Sequence, residues 1–205
     1  MKKIVLTVAV LAAASIVTAQ TVTSQNIVGY TKVQGSAGNL TLCALNFDTG
    51  GLTLNELFAD LDSGSLIHYW NKGTGAYQSA VKGRGGFNPN LVMNMGDAFW
   101  IEAANTTEVV LPGDVLLAET NSVNVVAGVD ATGFYYPVET LWSATALAAD
   151  LSSGDVLHIW NGTGYNSYVK GRGGWSGDPT IGVAEGFWVE SANALTSDQP
   201  RPFTP

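Results

Sequence analysis

Ser63-Gly64-Ser65-Leu66-Ile67-His68-Tyr69-Trp70-Asn71 recurs as Ser153-Gly154-Asp155-Val156-Leu157-His158-Ile159-Trp160-Asn161. The match continues. Gly73-Thr74-Gly75 returns as Gly162-Thr163-Gly164, and Val81-Lys82-Gly83-Arg84-Gly85-Gly86-Phe87 as Val169-Lys170-Gly171-Arg172-Gly173-Gly174-Trp175. Phe99-Trp100-Ile101-Glu102 comes back as Phe187-Trp188-Val189-Glu190. An internal repeat of this kind restricts the chain to two copies of one supersecondary unit. Upstream the match fades, and Asn26 and Gly38 are set against Asn121 and Gly133 at equal separation. The units are read as residues 26–118 and 121–195, followed by a Pro-rich tail at 196–205.

Each unit is rich in β-branched and aromatic residues broken by Gly, Asn and Asp turn signals, which predicts short strands. In Ala98 to Glu102, Phe99 and Ile101 share one face, and Trp100 and Glu102 the other. Thr53 and Glu56 form a capping box ahead of Leu54, Leu57, Phe58 and Leu61, which predicts a short helix. The second unit has alanine-rich Ser143 to Leu151 in its place. The fold class expected is all-β: tandem duplicated β-sandwich-like units, each with one short helix.

Lys2 and Lys3 precede an apolar run from Ile4 to Val17 that ends on Val17-Thr18-Ala19. That pattern predicts a secretory signal peptide at 1–19 and a secreted protein with no membrane span. Removing Lys2 and Lys3 from nine basic residues leaves seven against seventeen acidic ones, a net charge of −10. Such a chain repels nucleic acid and anionic lipid. Cys43 is the single cysteine, so the chain cannot close a disulfide on itself, and its apolar setting predicts a buried thiol.

Asn26-Ile27-Val28-Gly29-Tyr30 and Gly186-Phe187-Trp188 resemble motifs of uncharacterised exported bacterial proteins with an N-terminal Asn-Ile-Val-Gly-Tyr strand and two Gly-Phe-Trp type half-units. The first unit departs from that pattern with Asp97-Ala98-Phe99-Trp100. The resemblance covers most of the chain and implies no activity.

Lys82, Arg84, Lys170 and Arg172 concentrate positive charge in two glycine-rich loops. Such a loop is suited to an anion or to an acidic surface, or it is a hairpin turn whose arginine covers Phe87 or Trp175. It lacks the Gly-Lys-Ser/Thr ending of a phosphate-binding P-loop. His68 and His158 are matched but lack a third metal ligand at a recognisable spacing, and Asp60 and Asp62 do not complete a calcium loop. Glu102 and Glu190, as a glycosidase pair, would need different environments, whereas repeated positions give similar ones. No catalytic residue and no cofactor are predicted.

Trp70, Trp100, Trp160 and Trp188 are candidates for an aromatic surface that stacks on sugars, and equally for packing residues. In the first unit Thr106 to Leu111 and Val115 to Leu117 read as closing strands. Residues 196–205 contain Pro200 and Pro202 and read as a tail, which leaves the second unit a strand short. Residues 20–25 form an extension of strand-like composition, with Val22, Ile27 and Val28 as candidates for pairing with that open edge. The first expectation is therefore a non-enzymatic structural protein that self-assembles, as fibres or a surface layer, by strand exchange between copies. The alternative is a carbohydrate-binding module with polysaccharide as partner.

Overall fold

A computed structural model describes residues 27–204. The predicted signal peptide at 1–19, the predicted extension at 20–25 with Val22, and Asn26 lie outside them. The protein is all-β, with two short helices among the described residues. No described helix is long and apolar enough to cross a membrane.

The first unit comprises β1 (Val28–Gly35), β2 (Leu40–Ala44), α1 (Leu54–Leu57), β3 (Leu66–Asn71), β4 (Ala76–Gly83), β5 (Gly86–Asn88), β6 (Ala98–Glu102) and β7 (Thr107–Asp114). The second comprises β8 (Thr120–Val125), β9 (Gly128–Thr132), β10 (Thr140–Leu141), α2 (Ala146–Asp150), β11 (Val156–Trp160), β12 (Tyr165–Gly171), β13 (Gly174–Trp175), β14 (Thr180–Ile181), β15 (Phe187–Ser191) and β16 (Leu195–Pro200). Each unit is built on a five-stranded sheet, ordered β2-β6-β3-β4-β5 in the first and β9-β15-β11-β12-β13 in the second. A two-stranded antiparallel ribbon covers one face of each sheet, β1 with β7 and β8 with β16.

Side-chain alternation drives this layering. Ile67, Phe99 and Ile101 point into the first core, where they meet Val109 and Leu111 of the ribbon and Leu54, Leu57 and Phe58 around α1. Leu157, Phe187 and Val189 meet Val123, Val125 and Leu147 in the second. Glu56 accepts hydrogen bonds from the Thr53 backbone N–H and hydroxyl at the start of α1. The alanine-rich stretch is helical only over α2, preceded by a 3₁₀ turn at Trp142–Ala144, and Thr145 caps it by accepting the Ala148 N–H.

The second unit is not a strand short. Leu195 to Pro200 pairs with β8 from Val125 to Thr120, in the place β7 takes against β1. Two prolines obstruct a central strand, but this ribbon has two members, and Pro200 stands at the last paired position while Pro202 lies beyond it. Ile27 and Val28 are likewise used within their own unit: the Ile27 carbonyl accepts the Val115 N–H, and Val28 pairs with Asp114. The vacant edge on which strand exchange depended is filled, and that argument for assembly goes with it.

The upstream alignment is corrected too. Val33 faces Val109 as Val123 faces Ser197, so Asn121 takes the place of Thr31. Leu42 pairs with Trp100 as Ala131 pairs with Trp188, so Gly133 takes the place of Ala44.

Reciprocal hydrogen bonds join the units. Ala44 N–H donates to the Ala184 carbonyl at 2.9 Å, and the equivalent Gly133 N–H donates to the Gly96 carbonyl at 3.0 Å. The backbones approach so closely that a Cβ at Gly133 would collide with that of Ala44, and one at Gly186 with the Cys43 carbonyl. Buried Asn46 clasps this crossing, donating to the Phe134 carbonyl and accepting from the Ala184 N–H. Lys72 of the first unit reaches buried Asp130 of the second at 3.1 Å and the Asn124 carbonyl at 2.9 Å.

Candidate functional site

The glycine-rich loops are hairpin turns between β4 and β5 and between β12 and β13. Lysine, not arginine, lies against the aromatic ring. Lys82 Nζ stands 5.5 Å from the Phe87 ring centre and Lys170 Nζ 6.0 Å from that of Trp175. Lys82 also donates to the Phe58 and Ala59 carbonyls, and Lys170 to those of Ala148, Ala149 and Leu151. Both lysines thus satisfy carbonyls left open where the helices end. Arg84 and Arg172 stand exposed at the hairpin tips.

The tryptophans are drawn together. Trp100 and Trp188, only 5% and 6% exposed, lie in the seam between the units and are not open stacking faces. They leave one core by strand alternation and enter a second, formed where the outer faces of the two sheets meet at Leu42, Ala98 and Ala131. Each packs edge-to-face on a half-buried tryptophan of the other unit: Trp70 on Trp188 at 4.9 Å, Trp100 on Trp160 at 5.0 Å. Such pairs contribute about 0.5–1.5 kcal/mol each beyond burial, so much of the indole surface is spent on holding the units together.

What the seam leaves open is a pair of matching pockets. One, of about 390 Å³, is lined by Leu40, His68, Tyr77, Trp100, Trp160 and Tyr165. The other, of about 340 Å³, is lined by Val129, His158, Tyr165, Trp188, Trp70 and Tyr77. Each lining residue has its repeat partner in the other pocket, and each pocket takes side chains from both units. Tyr77 and Tyr165, 43% and 45% exposed, line both. Tyr77 packs on Trp70 and Trp188, and Tyr165 on Trp160 and Trp100. Partial burial pushes both phenols up, that of Tyr77 to about 12.

The indole N–H groups separate the two pockets. Trp100 donates to the Tyr77 hydroxyl, and Trp160 donates to the Leu40 carbonyl at 3.1 Å. The Trp188 indole lies close enough to act on the Tyr165 hydroxyl, yet its N–H completes no hydrogen bond, and neither does that of Trp70. Both unpaired donors belong to residues lining the smaller pocket.

A polar array borders each pocket. His68 Nδ1 is 2.6 Å from the Ser79 hydroxyl and its Nε2 3.1 Å from Glu102. His158 Nδ1 is 2.7 Å from the Ser167 hydroxyl and its Nε2 3.7 Å from Glu190. These are cross-strand neighbours: Ser79 and Trp100 flank His68, as Ser167 and Trp188 flank His158. The histidines are therefore oriented separately, each within its own array. Among the described residues, no group of three or more His, Cys, Asp or Glu side chains is placed to hold a metal. Cys43 is 1% exposed, and burial pushes its thiol up to about 12, which leaves little thiolate for nucleophilic attack.

Reading the repeat for its charges and tryptophans missed Tyr77, Tyr165, Ser79, Ser167, Leu40 and Val129. A signal was present: Tyr77-Gln78-Ser79 returns as Tyr165-Asn166-Ser167, one strand along from His68 and His158. Comparison with protein-family models, curated proteins and solved structures yields no match to this chain.

Proposed function

We propose that this is an exported, non-enzymatic binding module whose ligand is a neutral carbohydrate, taken up by the two aromatic pockets of the inter-unit seam. One observation carries the reading: the same lining of two tryptophans, two tyrosines, a histidine and an aliphatic residue is formed twice. A pyranose ring has the matching character, with an apolar C–H face for the aromatic walls and hydroxyls for the His, Ser and Glu rim. Open, mostly apolar pockets with a few convergent polar groups are the usual form of a small-ligand site. Glu102 and Glu190 at the rims, with the acidic net charge, disfavour acidic polymers.

The Ser-His-Glu arrays support orientation of a ligand better than turnover. Each carboxylate faces the same kind of partner, so neither is set apart as acid or base.

A neutral glycan array followed by calorimetry tests the proposal. Trp100 and Trp188 are unsuitable probes because the seam depends on them, so Tyr77→Ala and Tyr165→Ala are the informative variants. Binding by the native chain, weakened about tenfold or more in each variant at a temperature where a cooperative melt shows that variant to be folded, is the expected result. Absence of binding across the array overturns the proposal.

A further inference from the structure

Building on that carbohydrate reading, we infer that the two pockets are halves of one groove that takes a single linear, neutral oligosaccharide across the seam. Tyr77 and Tyr165 belong to both linings, so the cavities adjoin at these two side chains with no stretch of surface between them. Both tyrosines remain more than two-fifths exposed, so the divide is a pair of phenol edges open to solvent. A chain resting on one side can continue over them onto equivalent walls: Leu40, Trp160 and Trp100 on one side, Val129, Trp70 and Trp188 on the other.

Energetics favour one spanning ligand over two small ones. Two separate ligands each lose translational and rotational freedom, whereas a connected chain loses it once and meets the second pocket at a high effective concentration. A β-1,4-linked chain is the class to test, since each of its rings carries a C–H face on which an aromatic wall can pack. The halves differ in one respect that sets their ranking. The buried indole N–H of Trp70 has no protein acceptor and that of Trp188 completes no hydrogen bond although the Tyr165 hydroxyl is near, so a ligand oxygen reaching them supplies a partner that the other half does not need. The half containing these two residues is therefore the tighter one.

The test is calorimetric titration of the full chain with length ladders of β-1,4-linked glucose, xylose and mannose oligomers. Short oligomers should bind two per chain and long ones one per chain, with affinity rising about 100-fold or more once the oligomer spans both halves. His68→Ala and His158→Ala each remove a lining residue that belongs to one half, and either should return the long oligomer to near the affinity of a short one. His158→Ala, in the tighter half, should have the greater effect. Long oligomers that still bind two per chain, or that gain no more than about twofold in affinity, overturn the single-groove inference while leaving carbohydrate binding intact. If no oligomer of any length binds, both proposals fall.

Discussion

The two ribbons that close the units solve one problem in different chemical terms. In the first, Val109 and Leu111 of β7 turn inward and seal the core by apolar contact. In the second, the matching positions on β16 are Ser197 and Gln199, 0% and 5% exposed. Their polar groups are satisfied in a chain. Ser197 donates to Asp150 at 2.6 Å, Gln199 Nε2 donates to the Ser197 hydroxyl at 2.8 Å, and Gln199 Oε1 accepts the Ala146 N–H at 3.0 Å. The ribbon is thereby tied to both ends of α2. One architecture can therefore be closed by dispersion and burial or by a hydrogen-bonded network, provided every buried polar group has a partner.

Deleting β16, by ending the chain at Ala194, is the most severe way to break the comparison. Val123, Val125 and Leu147 would be uncovered, and the second unit should lose its cooperative transition, visible as a lost or strongly lowered calorimetric peak. An unchanged melt would mean that the ribbon is dispensable. Single substitutions come next. Leu111→Ala should cost about 2–5 kcal/mol through the cavity it leaves, and Gln199→Ala about 1–3 kcal/mol through the partners it strands. The double change Ser197→Val with Gln199→Leu rebuilds the second ribbon in the manner of the first and should cost less than Gln199→Ala, since it removes the Ser197 hydroxyl, leaves exposed Asp150 free to turn to water, and strands the Ala146 N–H alone. Urea denaturation checks all three, and a double variant worse than Gln199→Ala would show that the network contributes more than satisfaction of its own groups.

Lys82 and Lys170 sharpen the comparison further. Lys170 holds three carbonyls and Lys82 two, so Lys170→Met should destabilise more than Lys82→Met, with each costing about 1–3 kcal/mol. Arg84→Ala and Arg172→Ala should stay within about 0.5 kcal/mol.

The smallest effect concerns Asp97 and Glu185, which hold matching places in the two units. Burial, the largest influence on each, raises both carboxyls above the usual range. A group whose pKa is raised on folding keeps its proton in the native state after the unfolded chain has lost it. Its contribution is present below the ordinary carboxylate pKa and is lost as pH rises through the folded value. Unfolding free energy should therefore fall with rising pH across that window, and Asp97→Asn with Glu185→Gln should flatten the slope in denaturation measured at stepped pH. A slope left unchanged would assign it to other groups.

Much of the fold was legible because its signals are local. The period of two in Ala98 to Glu102, the glycine and asparagine turns and the Thr53 and Glu56 pair all act within a few residues. The last strand was not. Leu195 to Pro200 has few strand-forming residues and is a strand because Asp150 and the Ala146 N–H, far away in the chain, satisfy Ser197 and Gln199. The site was legible by halves. His68, Trp70, His158 and Trp160 stood out through repetition, whereas the tyrosines gained meaning once each was seen between tryptophans of both units.

By itself the sequence determined an all-β chain with two recurring glycine- and tryptophan-rich segments, because composition and alternation bias each residue's own backbone and face. Only the tertiary structure decided that Trp100 and Trp188 are buried in the seam, that the second unit is closed, and that two pockets share two tyrosines. Those outcomes depend on which outer face meets which, and the free energy of such a contact resides in both partners together.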